Sequence, residues 1–141
     1  MKIQKRLFIL IGWVALILLL PACASPIKAS LNSQVTLAPG QTARIETESL
    51  DIKFIGVAAD SRCPDGVQCI RAGDVTCDIE ITLNGKTEGT TIKDEAGSGL
   101  SQGYVFDGYV MNFSVTPYPR ANLTIKKSDY RLSLTMHKLA P

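Results

Sequence analysis

The chain has 141 residues, of which 45% are hydrophobic and 20% are charged, and its formal net charge is +2 at pH 7. This length suits one domain, and the composition excludes a disordered, a collagen-like or a multispan membrane protein. A metal cluster built from several histidines of one chain is excluded as well, because the sequence contains a single histidine.

The first 22 residues have the pattern of an export signal. Residues 1–6 carry three basic side chains and no acidic one, and residues 7–20 are an uninterrupted apolar run. A basic start followed by a short apolar stretch and small residues is typical of a secretory signal peptide. Because a helix needs about 20 apolar residues to cross the hydrocarbon core, this run favours a cleaved helical signal peptide over a permanent transmembrane anchor.

The signal ends in a motif that resembles a lipid-attachment site. Residues 20–23 (Leu-Pro-Ala-Cys) are similar to the bacterial lipobox, whose cysteine becomes lipid-modified. We therefore expect a lipoprotein held by diacylglyceryl and N-acyl chains, such as palmitate, on Cys23, because two or more anchoring signals give stable membrane attachment. The alternative is ordinary cleavage within Ala22-Cys23-Ala24, which would release a soluble secreted protein. In a cell with two membranes, Ala24 favours the outer membrane.

Removal of the leader changes the charge balance. Of the 15 basic residues 3 lie in the leader, so residues 23–141 keep 12 basic and all 13 acidic residues, for a net charge of −1. No basic stripe remains, and we expect no nucleic-acid partner. Residues 23–33 are small, polar and aperiodic, which predicts a lipidated cysteine on a flexible tether, followed by one domain over residues 34–141.

From residue 34 onward the sequence predicts β-strands. Apolar and polar residues alternate in four segments, which are residues 50–59, 73–83, 109–116 and 130–139. A period of two is typical of strands that bury one face. Asn84-Gly85 and Asp107-Gly108 predict hairpin turns, because these residue types tolerate positive φ. A change of phase near Gly56 predicts a β-bulge.

The alternation also predicts which side chains face the core. The predicted inward residues of the last three segments are Val75, Cys77, Ile79, Ile81, Leu83, Tyr109, Met111, Phe113, Val115, Tyr130, Leu132, Leu134 and Met136. Seven or eight short strands with frequent turns and no sustained helical period predict an all-β domain. We expect a single antiparallel β-sandwich of immunoglobulin-like architecture, with a small β-barrel as the alternative. Residues 96–103 predict a Gly/Ser loop.

Three cysteines remain in the predicted domain. Cys63 and Cys69 lie in a turn-rich loop, whereas Cys77 lies on the inward face of a strand. Export implies an oxidising compartment, so we expect a disulfide between Cys63 and Cys69 and a buried free thiol at Cys77. A Cys₃His zinc site with His137 and a redox-active pair are the alternatives. The spacing lacks both the C-x₂₋₄-C knuckle of zinc sites and the C-x-x-C motif of thiol oxidoreductases.

The same loop carries a family resemblance. Residues 60–73 (DSRCPDGVQCIRAG) are similar to the motif D-S-R-C-P-x-G-V-x-C-x-W-A-G, which occurs in a family of small secreted bacterial domains and lipoproteins with no established activity. The resemblance implies an exported, β-sandwich-like domain with a disulfide loop, and it supplies no catalytic residue. This chain departs from the motif at Arg71, where that family usually has tryptophan.

The sequence offers no catalytic constellation. His137 lies on the predicted solvent face of the last strand, no G-x-S-x-G motif precedes it, and phosphate, dinucleotide and calcium loops are missing. We therefore predict no catalytic residue, no cofactor and no metal ligand. The predicted function is a non-enzymatic binding or structural module of the cell envelope. A small exported hydrolase or a thiol/metal protein is the alternative.

Charged residues around the two loop cysteines are the best candidates for a binding surface. The candidate recognition residues are Arg62, Asp65, Arg71 and Asp74. Loops at the end of a β-sandwich often bind ligands, here an envelope protein or a glycan. The alternative is that these charges form local salt bridges and turn hydrogen bonds. Tyr104, Phe106 and Tyr109 could similarly either stack on a sugar or pack in the core.

Overall fold

Alternating apolar residues build two sheets of short strands. The computed structural model describes residues 25–95 and 103–140. The nine strands of these residues are β1 (Ile27–Lys28), β2 (Gln34–Leu37), β3 (Thr42–Ile45), β4 (Leu50–Asp60), β5 (Asp74–Leu83), β6 (Lys86–Glu95), β7 (Tyr104–Phe106), β8 (Tyr109–Thr116) and β9 (Arg131–Lys138). Two 3₁₀-helices, Glu46–Glu48 and Lys127–Asp129, lie between strands. The predicted signal peptide, Cys23 and most of the predicted Gly/Ser loop lie outside the described residues.

The strands form a β-sandwich. One sheet has the order β1-β3-β4-β5-β6 and the other has the order β2-β9-β8-β7. All pairs are antiparallel except β1 with β3, which is parallel. The two sheets pack face to face and do not close into a barrel, so the predicted sandwich is confirmed. Within the described ranges, no helix has the length and apolar character needed to cross a membrane.

The core forms between the two sheets from the residues that the alternation selects. Of the predicted inward residues, all are buried except Leu83, which is half-buried where β5 ends. Phe54 and Ile52 from β4 join them. Burial of each large side chain contributes about 1.5–3 kcal/mol relative to exposure, so this shared core holds the two sheets together.

The predicted hairpin turns and the predicted bulge are present. Asn84 and Gly85 have φ of 51° and 80°, and Asp107 and Gly108 have φ of 43° and 81°. Two consecutive positive φ values fit the two-residue turn whose twist matches antiparallel strands. The β4–β5 register shifts between Phe54 and Gly56, which confirms the bulge.

The N-terminal segment differs from the prediction. Residues 27–33, which were expected to be part of a flexible tether, pack on the domain instead. β1 pairs with β3, the Ala29 N–H donates to the carbonyl of Arg44 (2.9 Å), and the Asn32 N–H donates to the carbonyl of Met136 (2.8 Å). A two-residue strand is too short to show alternation, so the sequence pattern could not reveal it. The folded part therefore includes Ile27, four residues after Cys23.

The sandwich has two ends of different construction. The hairpin end consists of the turns Asn84-Gly85 and Asp107-Gly108 together with the 3₁₀-helix Glu46–Glu48. The loop end consists of residues 61–73, between β4 and β5, and residues 117–130, between β8 and β9. β4 runs towards the loop end, and β3, which is antiparallel to β4, runs away from it. Because β1 is parallel to β3, the chain enters β1 from the side of the loop end.

Candidate functional site

The loop end contains the predicted disulfide. Cys63 and Cys69 are bonded, with Cα atoms 6.0 Å apart. The turn inside the ring is closed by the Val67 N–H, which donates to the carbonyl of Pro64 (3.2 Å). A cross-link over so short a segment reduces the conformational freedom of the unfolded chain. The ring therefore presents its side chains on a restrained backbone.

Strand pairing continues from the sheet into the base of the disulfide loop. The Ser61 N–H donates to the carbonyl of Asp74, and the Cys63 N–H donates to the carbonyl of Ala72, each at 2.7 Å. Gly73 makes this close approach possible. It has φ of 73°, and a Cβ atom there would overlap with the carbonyl group of Ser61. The close approach and the positive φ together require glycine at this position.

The central side chain of the loop end is Arg62, which is 5% exposed. Its Nε donates to Oδ1 of Asp60 (2.8 Å), and its Nη2 donates to Oδ2 of the same carboxylate (2.6 Å). This is the bidentate geometry in which arginine binds carboxylates most strongly. The Tyr130 hydroxyl donates a further hydrogen bond to Asp60 (3.1 Å). The buried ion pair is thus enclosed by polar partners.

Arg62 also connects the two sheets. Its Nη1 donates to the carbonyl of Val115 (2.8 Å) in β8, and its Nη2 donates to the carbonyl of Pro117 (3.0 Å). The Tyr118 ring lies over the guanidinium, with its centroid 4.9 Å from Cζ. Among the described residues, no buried side-chain polar atom lacks a hydrogen-bond partner. A buried charge of this kind is tolerated because its donors are matched to acceptors.

Burial and the ion pair shift the pKa values of the acidic groups around Arg62. Burial opposes ionisation of Asp60, but the hydrogen bonds and charge of Arg62 outweigh it, so the pKa of Asp60 is lowered. Burial and the hydrogen bond to Asp60 raise the pKa of Tyr130. Burial also raises the pKa of Asp94, although the positive charge of Arg62 acts in the opposite direction. At neutral pH, Asp60 is therefore a structural carboxylate engaged by its neighbours.

The second segment of the loop end is bound to the first through the backbone. The Asp65 N–H donates to the carbonyl of Pro119 (2.9 Å), and the Ala121 N–H donates to the carbonyl of Asp65 (3.3 Å). These bonds form an isolated parallel bridge between Asp65 and Arg120. The two segments therefore make one continuous surface, although they are far apart in sequence.

This surface exposes apolar side chains beside shallow hollows. Ile70 is fully exposed, Leu123 is 66% exposed and Val67 is 48% exposed. One hollow of about 190 Å³ includes Arg62 and Tyr130 in its lining, and a neighbouring one of about 350 Å³ includes Asp65 and Arg120. Leu123 borders both hollows. Three exposed apolar side chains are thus carried by the two segments of the loop end.

The four candidate recognition residues differ in how exposed they are. The prediction that Arg62 is a recognition residue is wrong. Its guanidinium does not project from the loop, because it is buried against Asp60 and two carbonyls. Asp74 is half-buried, accepts from the Ser61 hydroxyl and pairs with Lys93 (3.4 Å). Local salt bridges therefore account for both residues. Asp65 and Arg71 are exposed on the surface, where a partner could reach them.

The remaining cysteine and histidine do not join this site. Cys77 is a free, fully buried thiol, and burial raises its pKa to about 12. His137 Nδ1 lies 2.7 Å from Oδ1 of Asn32, near the opposite end of the sandwich. A Cys₃His site would need the thiols of Cys63 and Cys69, which are consumed by the disulfide. Over residues 25–95 and 103–140, no group of three or more metal-ligating side chains forms.

Sequence reasoning missed the side chains that residues 117–130 contribute. Tyr118 covers the guanidinium of Arg62, Tyr130 binds Asp60, and Leu123 borders the hollows. The alternation did place Tyr130 inside, but not its hydroxyl on a carboxylate. The spacing of Pro117 and Pro119 signalled a break in the strand, and nothing local signalled where that segment would dock.

The aromatic residues predicted either to stack on a sugar or to pack lie at the edge between β6 and β7. The rings of Tyr104 and Tyr109 each lie 5.8 Å from that of Phe106, and Tyr109 is buried. Tyr104 and Phe106 line a groove of about 350 Å³ with polar residues of β6. Tyr109 belongs to the core, and Tyr104 and Phe106 are half-buried and pack against it, so the packing alternative accounts for all three residues.

Comparisons with protein-family models, with curated proteins and with solved structures found no match to this chain.

Proposed function

We propose that this protein is a lipid-anchored module of the bacterial envelope that acts by contact through its loop end. The export signal and the lipobox at Cys23 support the location. The observation that carries the proposed mode of action is the buried Arg62, which fixes two distant segments as one surface with exposed apolar side chains. A preorganised surface binds with little ordering cost.

The chemistry of the loop end favours binding over bond-making. Its hollows contain one buried carboxylate, Asp60, which is engaged by Arg62 and Tyr130. The hydrogen bonds and charge of Arg62 lower the pKa of Asp60, so at neutral pH this carboxylate holds no proton to donate. The rest of the smaller hollow is lined by proline, leucine and isoleucine side chains. Such a site supports contact with apolar groups.

The anchor is tested by replacing its cysteine. In the full chain, we expect Cys23→Ala to move the protein from the pellet of membranes washed with high salt to the soluble fraction, because the acyl chains have lost their attachment site and salt screens the remaining charge contacts. Ser25→Ala, two residues away, is the matched control and should stay with the membrane. Intact-mass measurement of the purified wild-type protein should show cleavage before Cys23 and added acyl chains. Wild-type protein whose intact mass shows no added acyl chains would overturn the proposed anchor.

A further inference from the structure

We propose that the loop end rests on the anionic lipid surface of the same membrane that holds Cys23. This inference depends on the proposed lipid anchor and names the partner of the loop end. Two observations carry it, which are the apolar tips and the local charge. The length of the chain between the anchor and the domain limits the orientation.

The apolar tips have the form of a shallow membrane contact. Ile70 is fully exposed next to the disulfide, Val67 is half-exposed within the ring, and Leu123 protrudes from the neighbouring segment. Isolated apolar side chains on a rigid loop gain free energy by entering the headgroup and upper acyl region. They do not need a shaped pocket in the partner, and none of these three is buried within the domain.

The charge of the loop end differs from that of the rest of the chain. Apart from the buried Arg62, residues 61–73 and 117–130 carry four basic and two acidic residues, a net charge of +2 (4 − 2). The basic residues are Arg71, Arg120, Lys126 and Lys127, and all four are exposed. Residues 23–141 as a whole have a net charge of −1. The positive charge is therefore concentrated at the same end as the apolar tips. Each basic side chain beside an anionic bilayer raises the partitioning of a protein to that bilayer by about fivefold.

The short connection to Cys23 limits how the domain can lie on the bilayer. Cys23 precedes Ile27 by four residues, a span of at most about 14 Å. Ile27 and Ile52 both lie opposite Ala43 of β3, so they are at the same height along the sheet. From Ile52 to Asp60, β4 pairs with β5 over a length of six residues, which is about 20 Å towards the loop end. The domain therefore cannot stand upright on its loops. For the loop end to touch the bilayer, the domain leans, with the β1 edge and one side of the loop end facing the same membrane.

A single tryptophan reports this contact. The sequence has one tryptophan, Trp13, which lies in the predicted leader, so Ile70→Trp in the processed lipoprotein gives one emitting residue. The purified lipoprotein is inserted in vesicles of phosphatidylethanolamine and phosphatidylglycerol, with or without brominated acyl chains. We expect brominated lipid to quench about half of the Ile70→Trp fluorescence, because the side chain enters the acyl boundary. Val105→Trp, at an exposed position of β7, is the matched control and should stay unquenched.

The charge contribution is tested without the anchor. In the Cys23→Ala chain, Arg71→Glu with Arg120→Glu should lower flotation with phosphatidylglycerol vesicles by at least about tenfold. Lys86→Glu with Lys138→Glu makes the same change of charge at the hairpin end and should have much less effect. All of these side chains are exposed, so the variants should fold, which circular dichroism checks.

The outcomes separate the two proposals. Acylated protein with quenched Ile70→Trp and unquenched Val105→Trp supports the membrane contact. Acylated protein with both reporters unquenched overturns the contact and leaves the anchor standing. Protein without acyl chains overturns the anchor and with it the contact proposed here. A blue shift of Ile70→Trp that needs an added envelope protein, and not lipid, overturns the membrane as the partner.

Discussion

The two ends of the sandwich are stabilised in different ways. At the hairpin end, two-residue turns reverse the chain, and the polar contacts are at the surface, such as the Lys138 ammonium 2.8 Å from Glu48. At the loop end, a disulfide ring and a long segment meet around a buried ion pair, Arg62 with Asp60. Local turn chemistry is sufficient at the first end, whereas the second depends on contacts between distant residues.

This difference affects what each end can do. Short turns with exposed ion pairs leave little surface beyond the strands, and exposed pairs contribute little to stability. At the loop end, a buried ion pair and a disulfide fix the conformation of two irregular segments. Irregular segments present varied side chains, so the rigid support is what turns them into a usable surface.

The largest expected effect comes from removing the charge that connects the two segments. Arg62→Met leaves Asp60 buried without its partner and takes the donors from the carbonyls of Val115 and Pro117. We expect a loss of about 3–5 kcal/mol in the free energy of unfolding, measured by urea denaturation. Lys138→Met at the hairpin end is the comparison and should change it far less.

A double variant separates charge from packing. Arg62→Met with Asp60→Asn removes both charges and should recover part of the loss, because no unpaired carboxylate then remains buried. If Arg62→Met alone proved as harmless as Lys138→Met, the buried ion pair would not be what holds the loop end.

Removal of the disulfide should have a smaller effect. Cys63→Ser with Cys69→Ser opens the ring, and the chain-entropy relation gives a loss of about 2 kcal/mol in the free energy of unfolding. Thermal unfolding followed by circular dichroism measures it. Adding a reductant to the wild type should reproduce the loss, and adding it to the double variant should change nothing. An equal response of both proteins to reductant would place the redox effect elsewhere.

The smallest effects are those of pH. Because the pKa of Asp60 is lower in the folded state than in the unfolded state, its ionised form stabilises the fold above the unfolded pKa of about 3.9. This contribution is lost as the pH falls through the folded pKa. The stability difference between the wild type and Asp60→Asn should therefore be largest at neutral pH and shrink below about pH 4.

Asp94 provides a control of opposite sign. Burial raises its pKa, so ionisation at neutral pH weakens the fold. Asp94→Asn should be more stable than the wild type at neutral pH, and the gain should disappear as the pH falls through the raised pKa towards the ordinary value. Urea denaturation at several pH values measures both variants, and the same sign for the two would contradict this assignment.

The features that could be predicted from the sequence are those that depend on residues close together in the chain. The alternation of β8 and β9 gave the buried face, Asn84-Gly85 and Asp107-Gly108 gave the hairpins, and the cysteine spacing gave the disulfide. Each of these signals lies within a short segment. The two-residue strand β1 lies below the length at which alternation can be detected, which is why a tether was expected there.

The loop end was less predictable because its bonds are long-range. Arg62 contacts carbonyls 53 and 55 residues later in the chain. An arginine in a polar loop looks the same in sequence whether it points into solvent or into the protein. The aspartate two residues before it indicated a local salt bridge, but the depth of that pair depends on how residues 117–130 fold back over it.

The burial of Cys77 has a consequence for oxidative folding. Before the domain folds, the thiols of Cys63, Cys69 and Cys77 can pair with one another in three ways, and two of these pairings involve Cys77. Thiol–disulfide exchange requires a thiolate, and burial raises the pKa of Cys77 to about 12, so its thiol is protonated at neutral pH. Once β5 is in place, Cys77 is both inaccessible and protonated. The completed sheet thereby protects the native Cys63–Cys69 bond against attack from within its own chain.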